Sequence, residues 1–83
     1  MKNSIEIADR LALFIRNNDI NFYQIISEFD LEGNGFITQE DLKFALKKLQ
    51  FNLSSGEFSN LLRSLNIEKA ELISVKDFVK NFV

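Results

Sequence analysis

A twelve-residue stretch between two helical patterns constrains the fold of this 83-residue chain more than any other feature. Residues 30–41 read Asp-Leu-Glu-Gly-Asn-Gly-Phe-Ile-Thr-Gln-Glu-Asp, with oxygen-bearing side chains at the first, third, fifth, ninth and twelfth places. Gly35 stands at the sixth place, where glycine can make a sharp turn without a Cβ clash. Alternate residues of a tight loop can point inward together, and hard divalent cations take about six to eight oxygen ligands. The stretch therefore predicts a helix–loop–helix unit with a candidate cation site.

This pattern resembles the calcium loop of the EF-hand superfamily, in which a twelve-residue loop joins two helices. Carried over place by place, the resemblance implies six ligand residues in the first loop. They are Asp30, Glu32, Asn34 and Asp41 through their side chains, Phe36 through its carbonyl, and Thr38 directly or through water. The resemblance also implies that Gln39 and Glu40 point away from the ion.

Two places in the first loop depart from the family pattern. The third place is usually Asp or Asn in the family, and Glu32 is longer and must fold back. The twelfth place is usually a bidentate Glu, and Asp41 is one methylene shorter and gives one oxygen more easily than two. Because this lowers the coordination number toward about six, it favours magnesium relative to calcium. We expect calcium or magnesium in this loop, and the alternative is an empty loop kept for pairing with its neighbour.

A second loop follows 36 residues later, at residues 66–77, and looks like a degenerate EF-hand. Ala70 at its fifth place has no ligand atom. Glu71 replaces glycine at the sixth place, where a positive φ would cost on the order of 1 kcal/mol. The remaining candidate ligands are Asn66, Glu68, Ser74 and Asp77. We expect no metal here, and we expect the loops to pair through Ile37 and Ile73, which occupy the same place in each.

The rest of the chain predicts helices, since it has no proline and only three glycines. Ser4 can cap a first helix over about 5–16, and a second covers about 20–29. Capping-box pairs predict three more helix starts, at Thr38/Asp41, Ser54/Glu57 and Ser74/Asp77. The predicted fold is all-α: an EF-hand pair, with four helices and two short paired loop strands, plus one N-terminal helix. Residues 1–19 form that helix and its connection, and 20–83 form the pair, with hands at about 20–50 and 54–83.

Two surfaces are candidates for binding a partner. The first helix carries an apolar stripe that includes Leu11 and Phe14, and Phe44 should face outward from the third helix. The stripe could dock on the lobe itself, near Phe44 or in the groove that binds targets in this family, or it could contact another copy or another protein. The short connection at 17–19 favours a monomer with the helix docked. Lys43, Lys47 and Lys48 form a small basic patch, which we interpret as a solvated helix face.

The composition excludes several function classes. With no His and no Cys, the chain has no imidazole or thiolate chemistry, and no nucleophile or base accompanies the acid pair Asp30 and Asp41. We therefore expect no enzyme activity. The net charge of −2 and pI of about 5.0 argue against a nucleic-acid surface, and no apolar run is long enough for a membrane span. We expect a cytoplasmic or cytoskeletal location, as a monomer or as part of a larger assembly.

Two classes of function follow from the resemblance. One is a calcium-regulated sensor that exposes a groove for an amphipathic helix of a partner. The other is a metal-independent structural or adaptor lobe, similar to a light chain or to a domain of a larger cytoskeletal or ciliary protein. A regulatory fragment of a multidomain enzyme is a more distant third. The chain has a single methionine, Met1, so any groove is lined by less adaptable Phe and Leu side chains.

Overall fold

The computed structural model describes residues 7–82, which form five helices and one two-stranded antiparallel sheet. The elements in chain order are α1 (Ile7–Asn17), α2 (Phe22–Ser27), β1 (Phe36–Ile37), α3 (Gln39–Lys48), α4 (Ser55–Ser64), β2 (Ile73–Ser74) and α5 (Val75–Lys80). The expected predominantly helical class is confirmed. Ser4, predicted as the first cap, lies outside the described residues. None of the helices within residues 7–82 has the length and apolar character that a membrane crossing requires.

Two helix starts are closed by reciprocal capping boxes, as predicted. The Thr38 hydroxyl accepts a hydrogen bond from the Asp41 amide at 3.1 Å, and the Asp41 carboxylate accepts one from the Thr38 amide at 3.1 Å. Ser54 and Glu57 form the same pair of bonds at the start of α4, at 3.2 and 2.9 Å. Each box satisfies amide groups that the first helical turn leaves without intrahelical partners.

The starts of α5 and α2 differ from the prediction. The Ser74 hydroxyl accepts from the Asp77 amide at 3.3 Å, but no bond returns from the Ser74 amide to the Asp77 carboxylate. The ψ angle of Ser74 is 120°, against 169° at both box N-caps, so its backbone differs from theirs. Helix α2 begins later than predicted because Asn21 acts as its N-cap, accepting from the Gln24 amide at 3.2 Å.

Three helices end in the same way, each with a non-glycine residue in the left-handed region. These residues are Asp19 (φ 52°), Gln50 (φ 66°) and Asn66 (φ 61°). After α3, the Phe51 amide donates to the Leu46 carbonyl at 3.0 Å and the Gln50 amide donates to the Lys47 carbonyl at 2.9 Å. This is the Schellman arrangement, which satisfies the last carbonyls of a helix. The first residue of the second loop, Asn66, is therefore a helix cap.

One hydrophobic cluster holds the helices together. Its buried members come from every helix and both strands: Leu11, Ile15, Phe22, Ile26, Ile37, Leu42, Ala45, Leu46, Leu61, Leu62, Ile73, Val75, Phe78, Val79 and Phe82. Helix α2 packs against α5, where the Phe22 ring lies 5.9 Å from the Phe78 ring and 5.6 Å from the Phe82 ring. Aromatic contacts at these centroid distances add stability beyond the burial of area.

The N-terminal helix docks on the chain's own core, as predicted. Helix α1 packs against α4 and buries Leu11 completely. The Phe14 ring lies 5.2 Å from the Phe51 ring, and the Arg10 guanidinium lies 3.7 Å from the Glu57 carboxylate. The docking site is on α4 and on Phe51 in the segment that precedes it. The locations considered from the sequence were near Phe44 and in the groove that binds targets in the EF-hand family.

The two loops are joined by the short sheet. Strands β1 and β2 are antiparallel, with Phe36 opposite Ser74 and Ile37 opposite Ile73. This is the predicted pairing, and both isoleucines are almost completely buried. The Val75 amide also donates to the Gly35 carbonyl at 3.0 Å. The pairing places the first loop beside the second.

Candidate functional site

All six residues predicted to ligate a cation line a single concavity of about 320 Å³ over the first loop. The loop after α2 supplies Asp30, Glu32 and Asn34, and β1 with the start of α3 supplies the rest: Phe36, Thr38 and Asp41. The helix–loop–helix geometry thus brings together residues that are up to eleven positions apart in sequence.

The Asp30 carboxylate holds the turn of the loop. One of its oxygens accepts a hydrogen bond from the Gly35 amide at 2.6 Å, and the other accepts from the Asn34 amide at 3.2 Å. The Gly33 amide donates to the Asp30 carbonyl at 3.1 Å. Since a carboxylate has about four lone-pair positions, Asp30 can keep these amides and still face an ion.

The middle of the loop is linked by the Asn34 side chain. Its Oδ1 accepts from the Phe36 amide at 3.1 Å, and its Nδ2 donates to the Glu32 carboxylate at 3.4 Å. Glu32 therefore folds back toward the loop, as its extra length requires. Both side chains are exposed, so solvent reaches this side of the concavity.

Asp41 at the twelfth place serves the helix as well as the loop. Its Oδ2 accepts from the Thr38 amide, which leaves Oδ1 as the oxygen without a bond in the capping box. Within residues 7–82, no group of three or more His, Cys, Asp and Glu side chains is close enough to hold a metal ion. The acidic side chains thus line one concavity but do not converge, and a cation would have to draw them together.

The glycine at the sixth place has the predicted conformation. Gly35 has a φ of +86°, and Gly33 has a φ of +67°. A Cβ added at Gly35 would meet no atom within 4 Å, so the requirement for glycine comes from the backbone angle and not from crowding.

The second loop does not repeat this backbone. The expected positive φ at Glu71 is absent, and among residues 66–77 the left-handed residue is Asn66. The reason is that α4 ends in a Schellman cap, where the Ile67 amide donates to the Leu62 carbonyl at 2.9 Å and uses Asn66 as the left-handed residue. Glu71 therefore carries no strain from a positive φ, which corrects that expectation.

Two of the four candidate ligands of the second loop have other partners, and the other two are exposed. Glu68 lies 3.4 Å from the Arg63 guanidinium, and Ser74 caps α5 by accepting from the Asp77 amide. Asn66 and Asp77 are exposed. None of the four lines the concavity over the first loop.

The resemblance implied only that Gln39 points away from the ion, and its side chain in fact ties the two loops together. Its Nε2 donates to the carbonyls of Ile67, Glu68 and Ala70 at 3.2, 2.8 and 3.1 Å. These three carbonyls converge on one side-chain amide of the first turn of α3. The signal was available in principle, because the predicted Ile37–Ile73 pairing places the residues after β1 beside the second loop.

Of the three residues predicted to bind a partner, only Phe44 has an exposed side chain, at 49%. Leu11 is fully buried and Phe14 is half-buried, because α1 is folded onto α4. The structure thus assigns Leu11 and Phe14 to the chain's own core, and the surface that they were predicted to offer an outside partner is occupied.

Exposed apolar side chains surround the first-loop concavity, and the sequence analysis did not identify them as a group. Leu31 is 92% exposed, Leu72 is 55% exposed and Phe36 is 45% exposed, and all three line the concavity. Leu31 and Leu72 come from different loops and are brought together by the β1–β2 pairing.

The fold is a small helical lobe in which two loops are paired by a short sheet. The chain is similar to cell division control protein 31 of Saccharomyces cerevisiae (strain ATCC 204508 / S288c), with 34% identity over 56 residues. The aligned segment covers 68% of this chain and 35% of the yeast protein, so the chain spans about a third of that relative's length. No protein-family model matches the chain, and no solved structure matches it significantly.

Proposed function

We propose that the chain is an EF-hand lobe that acts as a non-catalytic protein-interaction module with at most one cation site, in the first loop. The observation that carries the proposal is the single concavity lined by all six residues of the ligand pattern. The left-handed Gly35 and the paired isoleucines Ile37 and Ile73 support it, because both belong to the same pattern.

The first loop would bind calcium or magnesium. Asp30, Glu32 and Asp41 bring three carboxylates to one loop, and their mutual repulsion favours a cation between them. Asp30 is half-buried and already fixed by two amide bonds, so it would act as the anchoring ligand. Asp41 would give one oxygen, since its other oxygen caps α3.

Isothermal titration with calcium and with magnesium tests this proposal. Asp30→Ala should abolish binding of both ions, and Asp41→Glu should raise the affinity for calcium relative to magnesium by restoring a second oxygen. Glu40→Gln is the matched control, because Glu40 is an exposed carboxylate next to Asp41 that does not line the concavity. Equal affinities for the wild type and the Asp30→Ala variant would contradict the ligand assignment.

The alternative is a lobe that works without metal, similar to a light chain or to a domain of a larger cytoskeletal or ciliary protein. Gln39 favours this alternative for the second loop, because a side-chain amide already satisfies three of that loop's carbonyls. The amide bonds to Asp30 similarly order the first loop without an ion. A titration that detects neither ion, with circular dichroism unchanged by a chelator, would select the alternative.

The proposed partner is an amphipathic helix of another protein, and the proposed location is cytoplasmic or cytoskeletal. The name of the yeast relative refers to control of cell division. We propose that this chain also acts in a protein assembly used in cell division. Crosslinking of the tagged chain in cells, followed by mass spectrometry, tests the location. Recovery of cytoskeletal proteins with the wild-type chain is the expected result.

A further inference from the structure

We propose that the groove between α3 and α4 binds an acidic amphipathic helix of another protein. This inference rests on the proposal that the chain is a protein-interaction module, and it specifies the surface and the chemistry of the partner. The groove has a volume of about 420 Å³ and lies between one face of α3 and the first turns of α4. Helix α3 lines it with Gln39 and with Glu40, Lys43, Phe44 and Lys47, and the spacing of the last four forms one continuous stripe along the helix.

The groove has an apolar floor. Phe44 from α3 is half exposed, and Phe58 from α4 is half-buried on the opposite side. A smaller hollow of about 110 Å³ adjoins Phe58 and continues to Phe51 and Leu53, which are also half-buried. Apolar side chains on one face of a helix bind in grooves of this kind through positions spaced by three and four residues.

The groove carries a net positive charge, because its two lysines outnumber its one carboxylate, Glu40, although the chain as a whole has a net charge of −2. Lys43 and Lys47 both line it and are exposed, and neither forms an ion pair within residues 7–82. Lys48, by contrast, is paired with Glu28 at 2.5 Å on another side of α3. The Lys47 ammonium lies 5.9 Å from the centroid of the Phe44 ring, so the cation and the apolar floor are adjacent.

The charge pattern specifies the partner. Lys43 and Lys47 are one helical turn apart, with Cβ atoms about 5–6 Å from each other. Carboxylates four residues apart on a partner helix have the same spacing and can face both ammonium groups. A basic helix in the groove would meet like charge at both positions and would be disfavoured. The partner is therefore an amphipathic helix with a Leu- or Phe-rich face bordered by Asp or Glu.

The test uses two synthetic helical peptides of roughly 16 residues, long enough to hold a stapled helix. Both have the same apolar face, and one is bordered by Glu at four-residue spacing and the other by Lys. We expect the Glu peptide to bind the full chain about tenfold more tightly by fluorescence anisotropy, with the difference reduced by salt. The double variant Lys43→Glu/Lys47→Glu should reverse the preference, and Phe44→Ala should weaken binding of the Glu peptide.

Lys76→Glu/Lys80→Glu on α5 is the matched control, because these two exposed lysines have the same spacing and the same charge change. An equal loss of affinity in this control would reduce the effect to overall charge and overturn the proposal. Equal binding of the two peptides by the wild type would overturn it as well. Dimerisation in sedimentation equilibrium that Phe44→Ala abolishes would assign the groove to a second copy instead. Cation titration of the Lys43→Glu/Lys47→Glu variant keeps this test separate from the proposed function. The first loop of this variant should still bind the cation even when its groove no longer binds the Glu peptide.

Discussion

The side-chain amide nitrogen of Gln39 lies 2.8 Å from the carbonyl oxygen of Glu68, and this hydrogen bond links the first turn of α3 to the second loop. Two further carbonyls of that loop accept from the same amide nitrogen. These bonds satisfy three carbonyl oxygens of the second loop, in which Ala70 offers no side-chain oxygen. The first turn of α3 therefore contacts both loops, because Gln39 bonds to the second loop while its neighbours Thr38 and Asp41 line the first.

Replacing Gln39 should destabilise the lobe through the second loop. Gln39→Ala removes the donors from partly buried carbonyls and should lower the free energy of unfolding by about 1–2 kcal/mol. Gln39→Glu should cost more, because a carboxylate would face three carbonyl oxygens. Urea denaturation measures both, and Glu40→Ala, at an exposed neighbouring position, should stay within about 0.5 kcal/mol of the wild type. A Gln39→Glu variant as stable as the wild type would contradict this assignment.

Truncating Leu11 should show how much the docked N-terminal helix contributes. Leu11 is fully buried between α1 and the rest of the core, so Leu11→Ala should lower the free energy of unfolding by about 2–5 kcal/mol. Leu13 is the control, because it lies in the same helix with 45% of its side chain exposed and its change to Ala should cost far less. Thermal and urea denaturation would both detect the difference. Equal small effects at the two positions would mean that α1 does not dock in solution.

Two glycines allow the strain of a positive φ in the first loop to be compared with an ordinary helical position. At Gly35 and at Gly56 an added Cβ would meet no atom within 4 Å. Gly35 has a φ of +86°, so Gly35→Ala should cost roughly 1–2 kcal/mol. Gly56 lies in α4 without a positive φ, so Gly56→Ala should instead stabilise by about 0.5–1 kcal/mol. Chemical denaturation should show that the two substitutions change the free energy of unfolding in opposite directions. A change in the same direction would contradict the assignment of strain to the positive φ at residue 35.

The capping box of α4 should make stability depend on pH in the acid range. The Ser54 amide donates to the Glu57 carboxylate, and this bond lowers the pKa of Glu57, with a smaller contribution from the Arg10 charge. A lowered folded pKa gives stability that is present above the unfolded pKa, about 4.3 for Glu, and is lost as pH falls through the folded value. Glu57→Gln should therefore be less stable than the wild type at neutral pH, with the difference shrinking in acid. A difference that stays constant with pH, measured by thermal denaturation across that range, would contradict this mechanism.

Local sequence rules predicted most of what is local in this protein. Thr38/Asp41 and Ser54/Glu57 form the expected boxes, because a capping box depends only on residues within one helical turn. The need for glycine at residue 35 was also visible, since it depends on a single backbone angle. The pairing of Ile37 with Ile73 could be predicted because the chain repeats its own pattern.

The tertiary structure decided the features that depend on which surfaces meet. The sequence was compatible with Leu11 contacting either the lobe or a partner. The packing of α1 against α4 shows that it belongs to the core. Gln39 has an ordinary polar side chain in sequence, and it becomes a link between loops because the sheet brings three carbonyls to it. The sequence pattern placed Asn66 as the first residue of the second loop. In the structure it is the left-handed residue that ends α4. Local hydrogen bonds and backbone angles are encoded by neighbouring residues, whereas burial and long-range donors depend on the relative positions of distant segments.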